Sequence, residues 1–156
     1  MLTEAVLPAL SAATLAVSLL AQVAISLASE SAGPLRTSSA AALNDDDLAV
    51  ACPDLATRIA NLLETTVDFL EAPVVSRYEP GQLFATHNDA SVDPERDWGD
   101  LGGQRLKTCI LYLNDVARGG ETACDTLSGL RLQPRTGNAL VFEPADAETG
   151  RLGERT

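Results

Sequence analysis

The sequence predicts an α+β domain in which two helices precede at least five short strands that close into a sandwich or barrel. Three observations carry this. The 156 residues are 46% hydrophobic and 21% charged, a globular balance in the size range of one domain. The first 72 residues hold apolar stripes at helical spacing. From Pro73 onward, short apolar runs alternate with Gly and Pro turns, the texture of strands. Aromatics are only 4%, so the core must be aliphatic.

Residues 5–29 carry no charge, which invites a membrane-span or signal-anchor reading. Against it, no basic residue precedes the stretch, and the first in the chain is Arg36. Ser11, Thr14, Ser18, Gln22 and Ser26 recur every three or four residues, one face of a helix. Eight of residues 5–29 are Ala, whose transfer to lipid gains little. The expectation is a packed helix covering the outside of the sheet, with a membrane anchor as the weaker reading. After Gly33-Pro34 comes a small, hydroxyl-rich run from Arg36 to Ala42, then Asp45, Asp46 and Asp47. Pro53 and Asp54 suit a first helical turn. Leu55, Ile59, Leu62 and Leu63 then form the apolar stripe of a second helix.

The strands expected next are Val74–Tyr78, Gln82–His87 after a Pro80-Gly81 turn, Leu106–Leu113, Leu130–Leu132 and, past a turn at 134–137, Ala139–Phe142. The Asp- and Glu-rich stretch Asp89–Asp100 reads as a solvated acidic loop. The predicted division is a helical support at 1–72 and a strand-rich core at 73–156.

With 22 acidic against 11 basic residues, the formal charge is −11. Such a surface repels phosphate backbones, which removes nucleic acid as a leading partner and leaves an anionic membrane face no better. Cys52, Cys109 and Cys124 are odd in number and lack CxxC spacing, so they make no closed disulfide framework. Cys109, inside an apolar run, reads as a buried inert thiol.

Chemistry concentrates in Tyr78–Asp89. On a strand, residues i and i+2 point the same way, so His87 and Asp89 converge. An imidazole and a carboxylate so placed form two corners of a facial metal site, and a third ligand would complete the triad of non-haem Fe(II) oxygenases. A plain surface ion pair is the competing reading of an isolated HxD. Other constellations are weaker. Asp93–Gly99 starts like an EF-hand, but Gly falls late and Gln104 stands where Glu is needed. No GxSxG accompanies a Ser-His-Asp set, and Gly102-Gly103 is not followed by GK[ST].

Context favours the metal. YxPGxxFxxHxD at Tyr78–Asp89, GGQRxxTxxxYLND at 102–115, GGET at 119–122 and GLRLxPxxGNALVF at 129–142 occur in one order. Together they resemble the prolyl 4-hydroxylase family of Fe(II)/2-oxoglutarate dioxygenases. The resemblance is strong over Val74–Phe142 and weak over Arg36–Leu63. It implies a double-stranded β-helix (jelly roll) with the N-terminal helices packed outside. It implies hydroxylation of a peptidyl proline in a protein substrate, with 2-oxoglutarate as co-substrate and release of succinate and CO2, and L-ascorbate as reductant. His87 and Asp89 occupy the first two Fe(II)-ligand positions. Tyr112 stands where the family places a tyrosine that hydrogen-bonds the distal carboxylate of 2-oxoglutarate, and Tyr78 where a pocket-lining tyrosine is common. Phe84 replaces a frequent Tyr, so a hydroxyl contact is lost there. Thr108 shares strand parity with Tyr112 and is placed on the same pocket wall. Glu121 is as well explained by a structural as by a functional role, and Trp98 either covers a groove or anchors its loop.

The resemblance also places a second His and a basic 2-oxoglutarate anchor after the strand at 139–142. His87 is the sole histidine. The expectation is therefore two of three metal ligands and missing last strands, with a catalytically inactive jelly-roll relic or binding module as the alternative. ER lumen and cytosol both stay open as compartments.

Overall fold

The structure, a computed structural model, describes residues 3–6, 22–24, 35–44, 46, 52–99, 103–124, 128–146 and 148–152. Eight strands are β1 (Thr3–Val6), β2 (Gln22–Ala24), β3 (Ser39–Ala42), β4 (Val74–Arg77), β5 (Thr108–Tyr112), β6 (Thr122–Cys124), β7 (Leu130–Leu132) and β8 (Asn138–Phe142). Among the described residues α1 (Leu55–Leu62) and α2 (Pro94–Trp98) are short helices, with a 3-10 turn at Val67–Phe69. Six strands form one sheet in the order β1-β8-β5-β2-β4-β3, and β6 pairs β7 in a second. Every pairing is antiparallel.

β5 forms because Thr108-Cys109-Ile110-Leu111-Tyr112 is β-branched, aliphatic and aromatic throughout, and all five residues are buried. Its odd members, Cys109 and Leu111, join Ala139 of β8 and Leu55, Ile59 and Leu63 of the α1 segment in one apolar cluster. Its even members Ile110 and Tyr112 pack with Leu140 on the other face. The stripe expected on α1 is therefore the face that meets the sheet. Lys107 donates through Nζ to the Leu63 carbonyl at 2.7 Å, a cationic stop at the helix end. β8 is delivered by a turn in which Gly137 takes φ +82°, a conformation that other residues adopt only at a cost. Asp115 locks that turn, its Oδ1 accepting from Thr136 N at 2.7 Å and Thr136 Oγ1 at 3.0 Å.

Three expectations need correction. The predicted N-terminal helix is not what β1 and β2 are: both are strands inside the main sheet. β2 lies between β4 and β5, with Val23 opposite both Val75 and Leu111. A ladder on both sides of β2 overrides the helical preference of Gln22 and Ala24. The rest of that helix reading lies outside the described residues. The stretch 1–72, expected as an outside helical support, thus contributes β1, β2 and β3 to the sheet that holds β4, β5 and β8. Gln82–His87 is not a strand either. It keeps one bridge, Arg36 to Phe84, because the Thr37 hydroxyl accepts the Leu83 N–H at 2.9 Å in place of a continuing ladder. The acidic loop contains α2, started by Asp93, which accepts from Arg96 N at 3.4 Å, and by Pro94 in the first turn.

Among the described residues no helix is long and apolar enough to cross a membrane. Among the described residues the architecture is two antiparallel sheets with little helix.

Candidate metal-binding site

His87 and Asp89 lie in the loop after the Phe84 bridge, not on a strand, yet they converge as the sequence predicts. His87 Nε2 is 3.1 Å from Asp89 Oδ1. Each group is oriented on its far side. His87 Nδ1 donates to the Ala85 carbonyl at 2.8 Å, and Thr108 Oγ1 donates to Asp89 Oδ2 at 2.8 Å. Thr108 itself is 1% exposed, so this anchor comes out of the buried sheet. One nitrogen and one oxygen are thereby held facing each other, the arrangement that fixes metal ligands elsewhere.

Charge reinforces the pairing. The hydrogen bond to Asp89 raises the His87 pKa, more than burial and the Arg36 cation lower it. Burial alone would raise the Asp89 carboxyl, but hydrogen bonds from His87 and Thr108, with the Arg105 charge, hold it below its ordinary value. When protonated, the imidazole donates to both Ala85 and Asp89.

A second layer fixes the loop. Arg105 donates to Glu71 through Nε at 2.6 Å and Nη2 at 3.1 Å, and through Nη1 to the Asp89 carbonyl at 3.4 Å. The same guanidinium lies 4.6 Å from the Trp98 ring centroid, so Trp98 anchors its loop. Gln104 Nε2 donates to the Ser91 and Gly150 carbonyls at 2.8 and 3.0 Å. Sequence reasoning missed Glu71, Arg105 and Gln104 as site supports, since their partners stand 13 to 46 residues away in the chain. The available signal was their place: Gln104 and Arg105 sit inside the GGQR motif.

The remaining candidates are near but differently engaged. Tyr112 shares its face with Thr108, as strand parity requires, and donates its hydroxyl to Thr122 Oγ1 at 2.8 Å, linking the two sheets. Tyr78 is half-buried just beyond β4. Glu121 is exposed. Cys109 is 2% exposed, and burial pushes its thiol up to about 11, which makes it inert at neutral pH.

The separation of the two donors tests their fit to a metal. Two atoms each about 2.1 Å from one ion and at right angles lie about 3.0 Å apart. The observed 3.1 Å matches that spacing. Among the described residues no third His, Cys, Asp or Glu joins them in a metal-holding group. The imidazole and carboxylate thus fit as two adjacent corners, the donor chemistry of non-haem iron oxygenases.

Comparison with known proteins agrees. The 2OG-Fe(II) oxygenase superfamily model matches residues 73–149. A putative prolyl 4-hydroxylase of Acanthamoeba polyphaga mimivirus is 37% identical over 73 residues, covering 45% of this chain and 30% of that protein. Probable prolyl 4-hydroxylase 3 of Arabidopsis thaliana is 34% identical over 103 residues, 54% of this chain and 35% of its own length. Among solved structures, the viral collagen prolyl hydroxylase from Paramecium bursaria Chlorella virus-1, in its 2OG complex, superposes with TM-score 0.61 and 25% identity. The match covers 78% of this chain and 68% of that one. The resemblance to the 2OG-Fe(II) oxygenase superfamily is thus carried by residues 73–149, the segment that holds both candidate ligands. The chain spans about a third of the length of these two curated relatives.

Proposed function

We propose that this chain carries two of the iron ligands, His87 and Asp89, of a 2-oxoglutarate-dependent dioxygenase that hydroxylates peptidyl proline, on a double-stranded β-helix. The observation that carries this reading is the 3.1 Å approach of His87 Nε2 to Asp89 Oδ1, with both far-side atoms occupied by Ala85 and Thr108. Bound Fe(II), with 2-oxoglutarate and O2, would supply the oxidation, succinate and CO2 being the co-products. This chain's part is orientation. Ala85 fixes which imidazole nitrogen is offered, and Thr108 holds Oδ2 so that Oδ1 faces the ion. With 2-oxoglutarate bound, the hydroxyl of Tyr112 would turn from Thr122 to donate to its distal carboxylate, with Tyr78 lining the same side. The protein substrate is a proline-containing chain, by kinship with the prolyl hydroxylases that it resembles, and ascorbate is the matching reductant.

Anaerobic Mn(II) titration, followed by succinate release from 2-oxoglutarate with a proline-rich peptide, tests the reading. The expected result is Mn(II) binding weaker than a three-ligand site provides, abolished in His87→Ala and Asp89→Ala. Binding that survives both substitutions would overturn the site. Absence of metal binding in the unsubstituted chain would favour a non-catalytic binding module.

A further inference from the structure

Arg36 lies far from the HxD motif in sequence and next to it in space. Its guanidinium carbon is 4.8 Å from the centroid of the Phe84 ring. The same ring stacks on that of His87, with centroids 3.7 Å apart and planes 18° from parallel. The guanidinium is itself tied down, Nε donating to Ser38 Oγ at 2.8 Å and Nη2 to Ser76 Oγ at 2.5 Å. Ser76 is in β4 and 1% exposed, so the tether reaches into the sheet. The backbones run together too. Thr37 N donates to Leu83 O at 2.9 Å and Ala85 N to Leu35 O at 2.6 Å, which sets Arg36 opposite Phe84. Ala85, held in this way, is the residue whose carbonyl receives His87 Nδ1.

From this geometry we infer that Arg36 and Phe84 are positioning residues for His87, Arg36 acting through Phe84 to hold the imidazole plane in which Nε2 is offered to a metal. The inference rests on the metal reading of His87. A cation on one face of an aromatic ring is attracted to it, and the ring is thereby pinned. An imidazole held only at its edge, by Ala85 and Asp89, can still tilt out of plane, and stacking removes the tilt. The hydrogen bond chooses the nitrogen and the stack chooses the plane. Residues that support ligands in this manner change metal affinity by about 10- to 100-fold when removed.

The sole histidine of the chain makes the test clean, because one set of imidazole proton resonances reports the stack without any metal. Phe84→Leu, Arg36→Met, Phe84→Tyr and Arg36→Lys are compared, singly and as the Arg36→Met/Phe84→Leu pair. Each is first checked for a wild-type thermal transition. Phe84→Leu and Arg36→Met should shift the His87 ring protons downfield and weaken Mn(II) binding about 10-fold. Phe84→Tyr and Arg36→Lys should restore both readouts. The double variant should lose no more than Phe84→Leu alone, since one acts through the other. Wild-type Mn(II) affinity in folded Phe84→Leu and Arg36→Met, with His87→Ala still abolishing binding, would overturn this inference and leave the metal site standing. Unchanged Mn(II) affinity in His87→Ala would remove both. Losses that multiply in the double variant would refute the claim that Arg36 acts through Phe84.

Discussion

β5 has two buried faces with opposite chemistry. Cys109 and Leu111 look toward α1 and join an apolar cluster with Leu55, Ile59 and Leu63. On the other face Thr108 donates to Asp89 and Tyr112 to Thr122, with Ile110 between them against Leu140. Burial is the same on both faces and polarity is not. The difference teaches that a strand can anchor a fold with one set of side chains and orient a site with the other, because alternation keeps the two sets apart.

Substitutions should therefore separate the faces. The largest effect belongs to the ligands: His87→Ala or Asp89→Ala should abolish Mn(II) binding by titration. Asn88→Ala between them should leave it, since the exposed Asn88 only accepts from Ala90 N at 3.1 Å. On the apolar face, Leu111→Ala should cost about 2–5 kcal/mol of unfolding free energy, read by denaturant melt, because it opens a cavity against α1. Metal affinity of the folded fraction should hold. If Leu111→Ala instead lowers affinity at unchanged stability, the two faces are not independent.

Thr108→Val is the sharper probe, being nearly isosteric. It should cost about 1 kcal/mol for the lost hydrogen bond and weaken Mn(II) binding by about 10-fold as Asp89 loses its orientation. A purely structural effect, with affinity intact, would count against Thr108 as a support for the site.

Proton linkage gives the smallest effect and a further contrast. The His87 pKa is raised above 6.5, so its share of metal-free stability is full below that value and is lost as pH rises through the folded pKa. That of Asp89 is lowered from 3.8, so its share is present above that value and lost as pH falls through the lower folded pKa. Metal binding instead needs Nε2 free of its proton. As pH climbs past the His87 pKa, Mn(II) affinity should increase while metal-free stability declines slightly, measured by titration and thermal melts across pH 5–9. The Leu111 contribution should be flat over the same range.

Much of this was legible in the sequence, and the reasons are local. α1, β4, β5, β7 and β8 each announce themselves by periodicity and flanking turns, and the His87–Asp89 convergence by an i, i+2 pair within a longer motif. The rest was hidden because it is decided at a distance. Residues 22–24 have helical composition but meet β4 and β5. Gln82–His87 reads as a short β-like segment after a turn, yet the Thr37 side chain interrupts its ladder. Arg36 stood out only as the first basic residue of the chain, and nothing local shows that a ring 48 positions later lies beneath it.

The placement of β2 has a consequence for assembly in time. Gln22–Ala24 is made before both of its neighbours, β4 and β5, which end at Arg77 and Tyr112. β1 waits longer, for β8, which ends at Phe142. The centre of the large sheet therefore cannot zip from one end, and every pairing around β5 closes a long loop before it gains contacts. Chains dominated by such distant pairings fold in milliseconds to seconds and not microseconds. The nascent chain must carry β1 and β2 unpaired until their later partners have emerged, and that interval is when it most needs protection from other chains.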